Sequence, residues 1–287
     1  LLALETLEAE AGPVQLVARG TWATGPVPAA GIRYTLAIAD LESVAPYIRF
    51  LPPGIAGALR TSGEMAGTSD APAFDGTLTA QDVTLAGWSV ATIAAEYEYA
   101  ATAPVPLLIV QASGGPVVTP GAGAYESAVL DLRMTRPTFT LDFRADRIGG
   151  GGAELAAEGT VVPEGPTDLI LRTVELDLDQ ERWSLRSPAG VSLTPDSITV
   201  RGLLLRQVNG PGLIAVDGRL PPTEQTTLRI DVAALPLTAF AGFVRGELPV
   251  AGVLWGTVVI AGPAEAPVAT GDFRLTEGRL LDVAMSW

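Results

Sequence analysis

The stretch GTVVPEGPTDLILRTVEL, Gly159 to Leu176, returns 59 positions later as GRLPPTEQTTLRIDVAAL, Gly218 to Leu235, and the two align without a gap. Gly159 falls on Gly218, Pro163 on Pro222, Thr167 on Thr226, Leu169 on Leu228, Leu171 on Ile230 and Leu176 on Leu235. What repeats is glycine, proline and alternating apolar residues. Alternation with a period of two sends successive side chains to opposite faces of a strand, so each copy reads as strand, turn, strand with one apolar face. The residues before each glycine extend the match: Leu155, Ala157, Gly159 and Val161 correspond to Ile214, Val216, Gly218 and Leu220. A third copy supplies Leu16, Ala18, Gly20 and Trp22, then Leu36, Ile38 and Leu41 after a four-residue insertion. In all three the apolar phase slips by one residue before the close, from Leu171 to Val174, Ile230 to Ala233 and Ile38 to Leu41. One extra residue otherwise turns every later side chain over, so a bulge or bend is expected at each slip.

A second repeat has an offset of 195: GALRTSGEMAGTSDAPAFDGTL (Gly57 to Leu78) matches GVLWGTVVIAGPAEAPVATGDF (Gly252 to Phe273). Before each copy lies a short amphipathic helix candidate, LESVAPYIRFL with Leu41, Val44, Ile48 and Leu51 near one side, and LPLTAFAGFV with Leu237, Phe240 and Val244. Pro46 and Pro236 place the helix starts at or near the proline. Elsewhere VELDLD (Val174 to Asp179) and YTLAIA (Tyr34 to Ala39) alternate, and EGPT, NGPG, LPPT and AGPAEAP mark turns. The expectation is an all-β protein of roughly 17 short strands with one or two short helices, growing by addition of strands. It is read as a single repeat region over residues 1–287, with internal repeats near 14–41, 41–85, 153–178, 212–237 and 235–280.

Composition narrows the function. Eighteen Lys and Arg stand against 32 Asp and Glu, a formal charge of -14. Phosphate binding needs a concentrated cationic face, so a nucleic-acid partner is not expected. The chain has no Cys and no His, which removes thiolate chemistry and the residue most often used as a base near neutral pH. Apolar residues make up 48%, and mean hydropathy is +0.34, yet no window holds the ~20 apolar residues of a membrane helix. The opening LLALETLEAE has acids where a signal peptide needs a basic region, and reads as a cut into a longer polypeptide.

Candidate chemistry is sparse. The glycines at Gly149 to Gly152 are not followed by Gly-Lys-Ser/Thr, so they read as a hairpin connection. DLDQER (Asp177 to Arg182) and DFRADR (Asp142 to Arg147) hold carboxylates for a glycosidase-like pair, but their acids alternate with apolar residues as on a solvated strand face. No DxDxDG-type run offers a calcium loop, and no metal or cofactor is expected. Tyr97, Tyr99, Trp88, Trp183 and Trp255 suit sugar stacking or, more commonly in strands, packing.

The run WSLRSPAGVSLTPDSITVRGLLLRQVNGPGLIAVDGRLPPTEQTTLRIDVAALPL (Trp183 to Leu237) resembles the AsmA-like repeat region of TamB-type envelope proteins. The features are Trp183, Leu185, Pro188 and Ala189, then Leu203 and Leu205, then Gly218 and a closing L-x-I-x-x-A-x-L. The following GVLWGTVVIAGPAEAPVATGDFRLTEGRL is similar to that family's glycine- and proline-spaced unit. The resemblance extends over nearly the whole chain and is weakest between Pro104 and Arg136. It implies an elongated, curved antiparallel sheet bent into an open trough (a β-taco) lined with apolar side chains. It also implies the periplasm of a diderm bacterium, inner-membrane anchoring through a segment absent from this sequence, and an outer-membrane barrel protein as a partner met through regions likewise missing here. The function expected is non-enzymatic conduction of phospholipid, its acyl chains held along Leu16, Trp22, Leu36, Ile38, Leu155, Leu169, Leu171, Leu203, Leu205, Ile214, Val216, Leu228, Ile230 and Phe273. The alternative is an assembly scaffold for outer-membrane β-barrel proteins or autotransporters. A β-helical polysaccharide hydrolase or lyase and a β-helix adhesin are the further rivals.

Overall fold

The structure is a computed structural model that describes residues 2–22, 31–48, 51–52, 54–68, 70–101, 106–119, 123–162, 165–178, 181–194, 197–220, 227–237, 250–262 and 268–280. These form eighteen strands, one four-residue α-helix and one 3-10 turn. The protein is all-β, and hydrogen bonding assigns the eighteen strands to one sheet. The chain divides into two compact units, residues 1–120 with 124–139, and residues 121–123 with 140–287.

The first unit holds β1 (Leu2–Ala11), β2 (Val14–Trp22), β3 (Gly31–Ile38), α1 (Leu41–Val44), β4 (Ala56–Gly67), β5 (Pro72–Leu85), β6 (Trp88–Ala100), β7 (Leu107–Thr119) and most of β8 (Gly123–Thr135). From β1 to β7 each strand pairs antiparallel with the next. Directly opposed residues share a face, so register carries one set of side chains across the ladder. One row runs Leu16, Leu36, Thr61, Leu78, Ala95, Ala112, and the next runs Val14, Ile38, Leu59, Ala80, Ile93, Gly114. The reverse face carries Gln15, Ala37, Arg60, Thr79, Ala94, Ser113, and then Arg33, Glu64, Asp75, Glu98. One face is oily, the other polar.

LESVAPYIRFL forms one α-helical turn and one 3-10 turn (Ala45–Tyr47), starting at Leu41 and not at Pro46. Asp40 caps it, its Oδ1 accepting from the Glu42 N–H at 3.0 Å, which satisfies one of the orphan donors of a helix start. Leu41 and Val44 are buried against Ile38, with Val14, Leu36, Ile48, Leu51, Ile55 and Leu59 packed around them. The turn is thus a lid over one end of the oily face. For the second candidate, LPLTAFAGFV, Leu235 and Pro236 close a strand, and residues 238–244 lie outside the described residues.

The second unit holds most of β9 (Thr138–Arg147), then β10 (Gly152–Val161), β11 (Thr167–Leu178), β12 (Glu181–Leu185), β13 (Ala189–Thr194), β14 (Ser197–Gln207), β15 (Leu213–Leu220), β16 (Thr227–Pro236), β17 (Val250–Ala261) and β18 (Val268–Leu280). β12 and β13 are halves of one interrupted strand: both pair with β11 and both with β14. Pro188 lies in the break, where a residue without an N–H is tolerated.

Both repeats superpose at the level of register. In β4–β5, Leu59 opposes Ala80 and Gly63 opposes Gly76; in β17–β18, Leu254 opposes Leu275 and Val258 opposes Gly271. Each of these positions is 195 from its counterpart. Both hairpins shift register around a left-handed glycine, Gly57 (φ +123°) and Gly252 (φ +147°). Both also hold a non-glycine residue at positive φ further on, Asp82 (+50°) and Glu277 (+54°). In β2–β3 and β15–β16, Gly20 opposes Ile32 and Gly218 opposes Leu228.

The three phase slips resolve differently. In β11 the register shifts beside Arg172, the expected bulge. In β16 the shift falls between Val232 and Leu235, further along than the sequence suggested, with Ala234 at φ +48°. At Ile38 to Leu41 no bulge forms, because β3 ends and α1 begins. The one-residue slip there is a change of period from strand to helix.

Candidate functional site

Register settles where the fourteen candidate side chains stand. In the first unit Leu16, Trp22, Leu36 and Ile38 share one face: Leu16 opposes Leu36, Val14 opposes Ile38, and Trp22 lies on the Leu16 side of β2 and opposes Leu2. In the second unit the other ten share one face. Leu169 leads through Val191, Val200, Gly218 and Leu228 to Ile260. Leu205 leads through Ile214, Val232 and Gly256 to Phe273, and Leu203 through Val216 and Ile230 to Val258. Leu155 and Leu171 join through Val174 and Ala157.

These side chains are not sealed. A core between two facing sheets buries its interdigitating residues completely, but here only Ile38 (5% exposed) and Leu205 (8%) reach that state. Phe273 is 56% exposed, and the other eleven are half-buried. In β6 the oily side chains Ile93, Ala95, Tyr97 and Tyr99 are half-buried while Thr92, Ala94, Glu96 and Glu98 are exposed. The oily residues shelter one another more than the polar ones do. The second unit keeps one dry knot, Trp183, Leu205 and Leu235, with Val174, Leu176, Leu185, Ile214, Val232 and Leu254 around it. Trp183 is 1% exposed and packs there, whereas Trp88 and Trp255 are about half exposed.

One polar feature interrupts the first unit's oily face, and sequence reasoning missed it. In the row Ala18, Tyr34, Gly63, Gly76, Tyr97, Val110, the two tyrosines meet hydroxyl to hydroxyl over the glycine pair. Tyr97 also bonds Thr61 Oγ1 at 2.8 Å, and Thr61 Oγ1 donates to the Thr77 carbonyl at 2.9 Å. Burial first, then the Tyr97 hydrogen bond, push the Tyr34 phenol above its ordinary range. It stays protonated across any physiological pH. Tyr97 was readable as an aromatic candidate and Tyr34 as an alternating strand residue; their meeting depends on register across three strand pairs.

The charged motifs also find each other. A shallow depression on the second unit is lined by Arg144, Asp146, Glu154, Glu175, Asp177 and Arg182, drawing from both DFRADR and DLDQER. Arg144 pairs with Asp146 at 3.4 Å and Arg182 with Asp177 at 3.3 Å. These pairs are exposed, and each gives an acid of the depression an arginine partner. Asp142 is exposed on β9, and Asp179 lies outside the described residues. Among the described residues no group of three or more acids is placed to hold a metal ion, and no helix is long and apolar enough to cross a membrane.

No family model matches the chain, and neither a curated protein nor a solved structure matches it.

Proposed function

We propose that this chain is a non-enzymatic lipid-conducting segment of an AsmA/TamB-like envelope protein, acting in the periplasm and carrying phospholipid acyl chains along its apolar faces. The observation that carries the reading is the accessibility of those faces: fourteen side chains chosen from the sequence stand on one face within each unit, and twelve of them are not buried. Leucine, isoleucine, valine and phenylalanine make no hydrogen-bond demands, and covering them with hydrocarbon contributes ~25 cal/mol per Å². A head group that keeps water or a hydrogen-bond partner on the open side of the face avoids most of its desolvation cost. Such a surface needs no specific polar constellation, in keeping with a chain that has neither His nor Cys.

The test is native mass spectrometry after gentle extraction. Wild-type protein should carry phospholipid, and Ile230→Asp should carry much less, because a carboxylate beside Val216 and Val258 would have to be desolvated under an acyl chain. Clean apo protein from lipid-rich cells would count against conduction. Cross-links from strand edges to a barrel substrate, with no lipid present, would favour the assembly scaffold instead.

A further inference from the structure

The hydroxyl chain on the first unit has a direction. Thr61 has one hydroxyl proton, and that proton goes to the Thr77 carbonyl. Its bond with Tyr97 therefore requires Tyr97 to donate. Tyr97 then has no proton left for Tyr34, so in their mutual bond Tyr34 donates and Tyr97 accepts. Protons run Tyr34 to Tyr97 to Thr61 to backbone, and each is committed. What remains open is lone pairs, above all on the Tyr34 oxygen. The group accepts hydrogen bonds and has none to give.

Its position fits a ligand with two ends. Counting along β3, Ile38 lies under the α1 lid, Leu36 follows, and Tyr34 comes next. Beyond the tyrosines stands a row of Ile32, Met65, Phe74 and Tyr99, with the Phe74 and Tyr99 rings 6.0 Å apart. Neither Gly63 nor Gly76 puts a side chain beneath the hydroxyls. A Cβ on Gly76 would lie 2.7 Å from the Tyr97 hydroxyl.

We infer that the Tyr34–Tyr97–Thr61 chain is a head-group selection point on the oily face, taking acyl lipids whose polar end carries an N–H or O–H donor over lipids whose polar end has none. This rests on the lipid reading above and adds selectivity to it. An ethanolamine head group, with its ammonium protons, meets the requirement; a choline head group has equal charge and no such proton. A carbonyl or phosphate oxygen finds no free donor within the three-hydroxyl chain itself.

The experiment loads the full chain from vesicles containing equal amounts of ethanolamine and choline glycerophospholipids with identical acyl chains, then quantifies bound lipid by mass spectrometry. Wild type should enrich the ethanolamine lipid about tenfold, the low end of what a hydrogen bond to a charged group supplies. The double variant Tyr34→Phe/Tyr97→Phe keeps both rings and removes both hydroxyls, so the lipid it binds should be at the vesicle ratio. Thr61→Val, close in shape, frees the Tyr97 proton for donation and should cut the enrichment as well, which guards against a double variant that fails to fold. A wild-type ratio equal to that of the vesicle overturns the inference while leaving lipid conduction standing, as does enrichment that survives in the variants. Wild-type protein that takes up no lipid at all sinks both.

Discussion

A Cβ placed on Gly218 would lie 2.5 Å from the Thr227 carbonyl oxygen, and one on Gly20 would lie 2.1 Å from that of Gly31. Both glycines have φ near +140°, +137° and +141°, where side chains are seldom tolerated. At Gly20 and Gly218 the returning strand comes too close for any side chain. Gly218→Ala should therefore cost about 2–3 kcal/mol, strain plus overlap with rigid backbone. Gly12→Ala should cost only ~1 kcal/mol, since its φ of +58° is mildly unfavourable and nothing lies within 4 Å of its Cβ. Denaturant midpoints at unchanged slope would measure the difference, and equal costs would remove close approach as the reason. The glycine's recurrence was legible in the sequence. Its cause was not, because the clashing oxygen belongs to the next strand. Trp183 makes the same point: sugar stacking and packing both suited its sequence, and only the neighbours Leu205 and Leu235 decide for packing. The Tyr34 and Tyr97 hydroxyls, 63 residues apart, had no sequence signal beyond two tyrosines in alternating strands.

At the scale of elements, alternation found the strands and assigned their faces because register preserves side-chain parity from strand to strand. It fared worse at the slips, where a bulge and a helix start share one apolar signature: the β11 slip is a bulge and the Ile38 slip opens α1. Asp40 was the available cue, a capping residue just before an apolar pair at helical spacing. A four-residue helix has almost no stability of its own, so α1 depends on the burial of Leu41, 2% exposed, and Val44. Leu41→Ala should cost about 2–4 kcal/mol and raise hydrogen exchange first at Asp40 to Tyr47, ahead of β3 and β4. Uniform loss of protection across the unit would mean the lid and sheet unfold as one. β16 and β17 are further tied by Asp231, which accepts from Arg229 at 2.7 and 2.8 Å and from Thr257. The Arg229 and Thr257 hydrogen bonds hold its carboxyl below the usual range. A folded pKa below the unfolded one contributes stability that is present above the unfolded value, ~3.9, and lost as pH falls through the folded value. The group is exposed, so its share is small. The acid limb of the wild-type stability curve should be slightly steeper than that of Asp231→Asn, with the two alike at neutral pH apart from a constant offset.

For the whole molecule, the proposed lipid reading makes separable predictions from charge and from oiliness. A chain of net charge -14 is repelled by anionic bilayers, so on the proposed reading the main attraction to lipid would come from hydrocarbon meeting the apolar faces. The two contributions respond oppositely to salt. Screening shortens the reach of charge from about 10 Å at 0.1 M to about 3 Å at 1 M, while apolar burial is not weakened by that screening. Loading from zwitterionic vesicles should therefore stay flat between those salt concentrations. Loading from vesicles containing anionic lipid should start lower and rise toward the same level as repulsion is screened. The alternative is capture by cationic side chains on the polar faces, such as Arg19, Arg33 and Arg60, reading phosphate. That route would give loading that is highest on anionic vesicles at low salt and falls steeply as salt rises. Fluorescent-lipid uptake by the full chain across that salt range separates the two, because the slopes have opposite sign. A falling slope would favour the arginines over the leucine and isoleucine rows as the proposed lipid contact. Ile230→Asp would then leave uptake unchanged, while charge reversal at Arg60 would reduce it.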